Sequence, residues 1–486
     1  MKSEEQLIHQ RITKLEELRK LKIEPYPYSY KKTHNTEDIL KLNLKTEEKL
    51  KDTIKLAGRI TSLRVMGKAS FGHLQDQTGK IQFYLRDEDI DNYNVFKKLI
   101  DIGDIIGITG NVFKTKKGET SIWITKFDLL TKALRPLPEK WHGLKDTELR
   151  YRQRYLDLIV NPEVKDTFLK RSQIIKTIRE FFDKKGFVEV EIPTLQPVYG
   201  GANARPFKTH INAWDLDLYL SISPEIYLKK LVVGGLEKVY TICKNFRNEG
   251  VDRTHNPEFT MLESYQAYAD YEETMELTES LYEYVAKKVL GTTKINYQGT
   301  IIDVKAPWER LTMYEALKKY LKVDIEKMND MEIKKTLKKF DVEYFHYSKA
   351  LAIDLLFSVV GPKLIQPVHI TDHPKESTPL CKLKRGNNEL IERFESFANG
   401  WEMTNAYSEL NDSILQTRLL EEQEKKGRGG DEEYHPMDKD FIRALEIGMP
   451  PTSGLGIGVD RMVMLLTNAK TIRDVIIFPT MRPENK

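Results

Sequence analysis

Cysteine is almost missing from this chain, with only Cys243 and Cys381 among 486 residues. That excludes a disulfide scaffold, and the lack of any Cys-x-x-Cys pair excludes a cysteine-built zinc cluster. No run approaches the eighteen or so uninterrupted apolar residues that a membrane helix needs. The opening stretch "MKSEEQLIHQRITKLEELRK" has no apolar core of the signal-peptide kind. Together these absences predict a reducing, cytoplasmic setting and no membrane partner. The usual nucleotide loops are missing too. "VMGKAS" (65–70) holds Gly67 and Lys68, but a P-loop would need glycine where Ser62 stands. "GLGIGVDR" (454–461) spaces its glycines G-x-G-x-G, unlike the dinucleotide fingerprint.

The composition is that of an ordinary globular protein, 40% hydrophobic and 31% charged, and the length implies two or three domains. Net charge is only +4, but it is unevenly spread. Residues 1–150 carry 29 Lys and Arg against 22 Asp and Glu, so the remainder is slightly acidic. A basic first third is consistent with a polyanionic partner, and equally with a lysine-rich proteome.

Apolar residues Leu7, Ile8, Ile12, Leu15 and Leu18 recur at helical spacing, which predicts a surface helix over 4–20. From 54 to 130, β-rich runs separated by Gly, Asp and Asn turns suit five strands of a small closed barrel. "LRPLPEKWHGLKD" (134–146) reads as a linker. Beyond 150, helical stretches (through "KKG" at 184–186, at 270–290 and in much of 311–360) alternate irregularly with strands, among them "FVEVEIPTL". Without regular βαβ spacing, an antiparallel sheet in an α+β domain is expected.

Three segments carry unusual chemistry. A glycine-rich strand running into Asp460 and Arg461 lets a flat ligand lie against backbone. In "LIERFESFANGWEMTNAYSEL" (390–410), Asn399-Gly400 signals a two-residue hairpin. Ideal pairing sets Phe397 opposite Glu402 and Glu395 opposite Thr404. The two glutamates then lie diagonally on one face, without a lysine between them, and could share a divalent cation or simply face solvent. The same pleat puts Asn405, Tyr407 and Glu409 on the opposite face, so either a bulge between 402 and 405 realigns them or the two sets serve different purposes. In "FRNEGVDRTHNPEFTMLE" (246–263), two β runs flank a polar loop holding Arg247 and Arg253, whose forks suit phosphate or carboxylate. Glu249, His255, Phe259 and Glu263 add acceptors, a donor and a ring within the same segment.

That last segment resembles the second signature of the class II aminoacyl-tRNA synthetases, with Arg247 as its arginine. "KKGFVEVEIPTL" (184–195) resembles the first signature, which supports the dimer in that class, and "GLGIGVDRMVML" (454–465) the third, with Arg461. The class I strings HIGH and KMSKS are absent. A barrel ahead of the catalytic domain is similar to the aspartyl, asparaginyl and lysyl subgroup. "GKASFGHLQDQTGKIQ", "GGANARPF", "SPEIYLKKLVVGGLEKVY" and "NAYSELND" resemble lysyl-tRNA synthetases in particular.

The resemblance implies an α+β chain with a helical extension (1–53), an OB-fold anticodon-binding barrel (54–133), a linker (134–150) and a class II catalytic domain (151–486) on an antiparallel sheet with flanking helices. It implies L-lysine, ATP and tRNA(Lys) as substrates, a homodimer, and up to three Mg2+ ions accompanying ATP. Roles carry over residue by residue. Arg247 would bridge the lysine carboxylate and the α-phosphate, and Glu249 would read adenine. His255 and Asn256 would lie near the phosphates, while Phe259 and Arg461 sandwich the base. Glu395 and Glu402 would hold Mg2+. Gly201, Glu225, Glu263, Tyr265, Asn405, Tyr407 and Glu409 would form the lysine site, with Glu409 and the two tyrosines at the ε-ammonium. Phe71, Gln82 and Glu119 would meet the anticodon, and the basic N-terminal helix would contact phosphates. Ser223 and Ser264, which depart from the family pattern, are expected beside the pocket. The rival readings are an asparaginyl or aspartyl enzyme, a non-catalytic RNA-binding paralogue, and a lysyl-transferring protein modifier.

Overall fold

The computed structural model describes residues 3–138, 144–344, 347–428 and 435–484. Two compact units emerge, Met1–Gly143 and Leu144–Lys486. Part of the expected linker, 139–143, lies outside the described residues, as do 345–346, 429–434 and 485–486 of the expected catalytic segment.

In the first unit, helix α1 (Glu4–Lys20) starts at a Ser3 capping box closed by Gln6. Leu15 and Leu18 are buried. Arg11 is also buried and donates to the carbonyls of Ile102, Ala133 and Arg135 at 2.9–3.0 Å. That arginine holds the helix in place and is not available to an RNA phosphate. Strands β1 (Lys49–Met66), β2 (Ala69–Gln75), β3 (Lys80–Arg86), β4 (Ile105–Lys114) and β5 (Thr120–Thr131) close a barrel in the order β1-β2-β3-β5-β4. One long strand makes closure possible: β1 pairs with β4 through Ile54–Arg59 and with β2 through Arg59–Met66. Alternate residues such as Leu74, Ile81, Phe83, Ile108 and Ile122 fill the interior.

The second unit is built on a sheet containing β6 (Val188–Glu189), β7 (Lys238–Phe246), β8 (Glu258–Ala267), β9 (Glu309–Thr312), β10 (Val368–Pro374), β11 (Leu383–Lys384), β12 (Asn387–Ala398), β13 (Trp401–Ser408) and β14 (Thr452–Gly458). Their order is β9-β10-β12-β13-β14-β8-β7-β6, with β11 attached to β12. Pairing is antiparallel except for β9/β10 and β6/β7 at the two ends. Of the expected strand "FVEVEIPTL", only Val188–Glu189 pairs in this sheet.

Helices α2 (Pro162–Lys184), α3 (Glu225–Val233), α4 (Tyr271–Leu290) and α5 (Val459–Thr467) accompany the sheet. Leu262, Phe394, Ala406, Leu455 and Ile457 pack with Ile178, Phe182, Met275, Leu281 and Val463 of α2, α4 and α5. Side chains alternate across a strand, so Glu263, Tyr265, Asn405, Tyr407, Gly454 and Gly456 must point to the other face. Helices α2, α4 and α5 thus cover one face and leave the opposite one, on which α3 packs, for a site.

Candidate functional site

A cavity of about 390 Å³ opens on that second face. All fifteen residues expected in the catalytic unit line it, drawn from segments as distant as Gly201 and Arg461. Its floor is β14. Gly454 pairs with Tyr407 on one side and Tyr265 on the other, and Gly456 likewise with Asn405 and Glu263. A Cβ at Gly454 would stand 2.1 Å from a Glu409 carboxylate oxygen and 2.5 Å from the Tyr265 ring. Glycine at this position therefore makes room for the acidic end of the cavity.

The hairpin corrects one pairing of the sequence reading and contains the bulge between 402 and 405 that the sequence left open. Asn399 and Gly400 form the turn and Phe397 opposes Glu402, but Glu395 opposes Asn405, not Thr404. A bulge at Met403 shifts the register. Met403 and Thr404 are both buried, and the Thr404 hydroxyl donates to Ser396 Oγ at 2.5 Å. Two consecutive residues thus turn toward the helices, which brings Asn405 and Tyr407 back to the face of Glu395 and Glu402. Ser396 is joined in turn to His369 (2.9 Å), itself 3.1 Å from Glu279, so a buried polar chain pins the bulge. The glutamates also have a cationic neighbour that the reading missed. Arg393 Nη2 donates to Glu395 Oε1 at 2.5 Å, and its Nε donates to Asn405. Arg393 sits two residues before Glu395, so the period-2 pattern could have signalled it.

The loop between β7 and β8 forms one wall. Arg247 is stacked over the Phe259 ring at 5.2 Å and makes only long contacts, 3.4 and 3.5 Å, to the Ile222 carbonyl. Burial pulls its pKa down, partly offset by Glu249, Glu402 and Glu263. His255 is exposed, held by Asp252 (2.8 Å) and close to Arg461 Nη2 (3.1 Å). Asn256 spends its amide on the Glu258 carbonyl at 2.6 Å and so braces the loop. Glu249 stands exposed at the rim. Asp460 accepts from Arg171 and from the Thr260 backbone, locking the start of α5 to β8. Arg461 is thereby aimed into the cavity, where it meets the Glu402 carbonyl and lies 3.7 Å from the Glu402 carboxylate.

At the opposite end three buried carboxylates converge. Glu263 accepts from Ser223 (2.7 Å) and Tyr265 (3.1 Å). Glu225, the first residue of α3, accepts from the Tyr407 hydroxyl at 2.6 Å and pairs with Lys229 at 2.5 Å. Glu409 pairs with Lys229 through Oε2, while its Oε1 is buried without a hydrogen-bond partner. Burial pushes Glu409 well up, against the pull of Lys229. Gly201, at φ +85°, packs so tightly on Ser223 and Glu225 that a Cβ would come within 2.8 Å of each. Ser223 thus belongs to the pocket. Ser264 does not: it lies between two cavity-facing residues of β8 and points to the helical side, opposite Tyr240 and Leu455.

On the barrel, Phe71, Gln82 and Glu119 share an outer face. Gln82 donates to Glu119 at 2.9 Å and accepts from Ser121. Phe71 packs on Tyr84 at 4.5 Å, and Tyr84 on Trp123 at 5.0 Å, with Lys49 and Arg86 each 4.6 Å over the tryptophan ring. Tyr84 and Trp123 were not singled out from sequence. Their place two and four residues along the exposed period of β3 and β5 was the available signal. Rings under cations on a barrel face suit unstacked bases of single-stranded RNA.

Among the described residues no helix is long and apolar enough to cross a membrane. The family model for class II tRNA synthetases (D, K and N) matches residues 146–482, and that for OB-fold nucleic-acid-binding domains matches 54–130. The chain is 53% identical to a lysine–tRNA ligase of Carboxydothermus hydrogenoformans, over 99% of both proteins. It is 54% identical to one of Thermoanaerobacter sp., over 99% of this chain and 97% of the relative. A Clostridium botulinum lysine–tRNA ligase is 52% identical over 99% and 96%. With the barrel, the glycine-floored sheet and the cavity-lining arginines already in view, these matches assign the chain to the class II tRNA synthetases of the D, K and N group.

Proposed function

We propose that this protein activates L-lysine with ATP to lysyl-adenylate and pyrophosphate, then transfers lysine to the 3′ end of tRNA(Lys). The observation that carries lysine over its subgroup relatives is the buried Glu409 carboxylate, with one oxygen still free of hydrogen bonds between Tyr265 and Tyr407. Aspartate or asparagine would bring no ammonium to that end. Glu225 and Glu263, near Gly201, take the α-ammonium, and Asn405 lies alongside. The substrate carboxylate is already ionised at neutral pH, so its attack on the α-phosphorus needs alignment and charge neutralisation, not a base. Arg247 supplies both. Phe259 and Arg461 clasp the adenine, Glu249 reads its amino group, and His255 sits toward the phosphates with Asn256 bracing it.

Glu395 and Glu402 fit a hard divalent ion. Each has an arginine near one oxygen only, and together they offer carboxylate oxygens facing the cavity. Two protein ligands are few, and no cluster of three or more His, Cys, Asp or Glu suited to a metal occurs among the described residues. Glu395 and Glu402 would therefore hold Mg2+ together with the nucleotide. When bound, it neutralises charge building on the phosphates. The protein acts as a cytoplasmic homodimer. Val188 on the edge strand and Leu195 are half-exposed apolar side chains on the first-signature segment, where a partner would dock.

Amino-acid-dependent ATP–pyrophosphate exchange with each of the twenty amino acids tests this reading. Exchange with lysine is expected, and exchange with asparagine or aspartate alone would sink it. Phe71→Ala should leave that exchange intact and lower kcat/KM for tRNA charging about 10- to 100-fold, the worth of one stacked base. A collapse of exchange in this variant would refute the division of labour between barrel and sheet.

Lysine binding should also release a proton. Burial, then the Glu225 charge, push Glu263 up to about 8, against hydrogen bonds from Ser223 and Tyr265 and the pull of Arg247. At pH 7 the empty pocket therefore holds a proton on Glu263, which an arriving ammonium displaces. Affinity for lysine rises with pH toward 8 and levels off above it. Titration calorimetry at pH 7 in buffers of different ionisation enthalpy should report release of about one proton. In Glu263→Gln the release should vanish, and equal heats in all buffers for the wild type would contradict the assignment.

A further inference from the structure

Lys229 belongs to none of the roles given so far, yet its charge is fully enclosed behind the acidic end of the pocket. Its side chain has no exposure, and its ammonium lies 2.5 Å from Glu225 and in an ion pair with Glu409. The Tyr407 and Phe441 rings stand 5.5 and 5.8 Å from Nζ. Lys229 is one helical turn after Glu225 on α3, so the helix fixes its reach. We propose that Lys229 is a positioning residue that tunes this pocket to a diamino acid, by clamping the α-ammonium carboxylate and the ε-ammonium carboxylate to a single internal cation.

This rests on the lysine reading above, and charge counting supports it. With substrate bound, Glu225, Glu263 and Glu409 bring three negative charges and Lys229 one positive. The two left over match the two ammonium groups of lysine, while the substrate carboxylate meets Arg247. Burial pulls Lys229 down, but Glu225 and Glu409 outweigh it and hold the ammonium up to about 12, so it stays charged. His435, buried nearby, is pulled down to about 4 by burial and by Lys229, and adds no charge to the count. Geometry supports the same role. Lys229 occupies Glu409 Oε2, which leaves Oε1 as the acceptor aimed at the cavity. Because the same ammonium also holds Glu225, the separation of the two carboxylates is set by one rigid bridge. That separation is what distinguishes lysine from the diamino acid one methylene shorter.

The test uses the full-length protein with lysine, ornithine and ATP as the varied ligands in pyrophosphate exchange. Lys229→Met keeps the length and drops the charge. It should raise KM for lysine at least about 30-fold, because a buried charge pair is broken, with KM for ATP and kcat each changing less than about threefold. The preference for lysine over ornithine should shrink about tenfold or more, since the spacing is no longer held. Lys229→Gln retains hydrogen-bonding capacity without charge and should behave like the Met variant, which keeps the test alive should Met fail to fold. An unchanged lysine KM in a folded variant, an equal rise for lysine and ATP, or an unaltered lysine-to-ornithine ratio overturns the proposal. So does failure of both variants to fold, which would make Lys229 purely structural. A wild-type protein that exchanges pyrophosphate with another amino acid and not lysine would refute the function itself, a distinct result.

Discussion

Replacing Glu409 by Gln is expected to lower kcat/KM for lysine by roughly two to three orders of magnitude, while KM for ATP moves less than about threefold. Glutamine preserves the volume over Gly454, where a Cβ could not fit beside the side chain. What it removes is the charge facing the ε-ammonium and one of the two carboxylates that hold Lys229. Breaking a buried ion pair by deleting one partner costs about 3–5 kcal/mol, because the other charge is left uncompensated. The penalty falls on lysine because Glu409 is at the far end of the cavity from Arg247 and Arg461, the end proposed for the nucleotide. Pyrophosphate exchange at saturating ATP, then at saturating lysine, separates the two constants. Equal losses for both substrates would mean that Glu409 supports the sheet and does not select the amino acid.

How the site assembles was only partly legible in the sequence, and the reasons are physical. The barrel was visible because its strands alternate: Leu74, Ile81 and Phe83 point inward while Phe71 and Gln82 point out. The hairpin turn at Asn399-Gly400 was visible because few other dipeptides adopt two left-handed residues in succession. The bulge at Met403 was legible only as one of two alternatives, because a bulge is decided by what both neighbouring residues find to bury, here the helical core and the Ser396 hydroxyl. Without it, Glu395 and Asn405 fall on opposite faces and the proposed metal and lysine sites cannot share a cavity. Lys229 was hidden for a related reason. In sequence it looks like any helical lysine, and only the pairing of Glu409 with the Thr452 carbonyl, which carries the chain past α3, brings a second carboxylate to it. The three glutamates, by contrast, were recognised through family resemblance. Nothing in their spacing alone required them to meet.

Arg247→Gln should reduce lysine-dependent pyrophosphate exchange by about a thousandfold and yet leave the empty protein at least as resistant to heat as the wild type. The two halves of this expectation have one cause. In the empty cavity the Arg247 guanidinium is stacked on Phe259, reaches only the Ile222 carbonyl at 3.4–3.5 Å, and forms no ion pair among the described residues. Burial has already pulled its pKa down, so keeping it charged there costs free energy. In the proposed reaction that cost is recovered when anions arrive, as the planar fork spans the lysine carboxylate and the α-phosphate and holds them in line. The repulsion between those two anions is greatest as the new bond forms, so the arginine is worth more in the transition state than in the ground state. Removing one such preorganised contact costs roughly 10²–10³ in rate, and a bridge between both reactants belongs at the upper end. Glutamine keeps part of the volume and a hydrogen-bond donor but no charge, so it relieves the resting strain and forfeits the bridge. Differential scanning calorimetry of the empty protein, set beside exchange kinetics, separates the two effects. A marked fall in melting temperature together with the lost activity would identify Arg247 as part of the scaffold, whereas intact stability with lost exchange identifies it as the group that brings the two anions together.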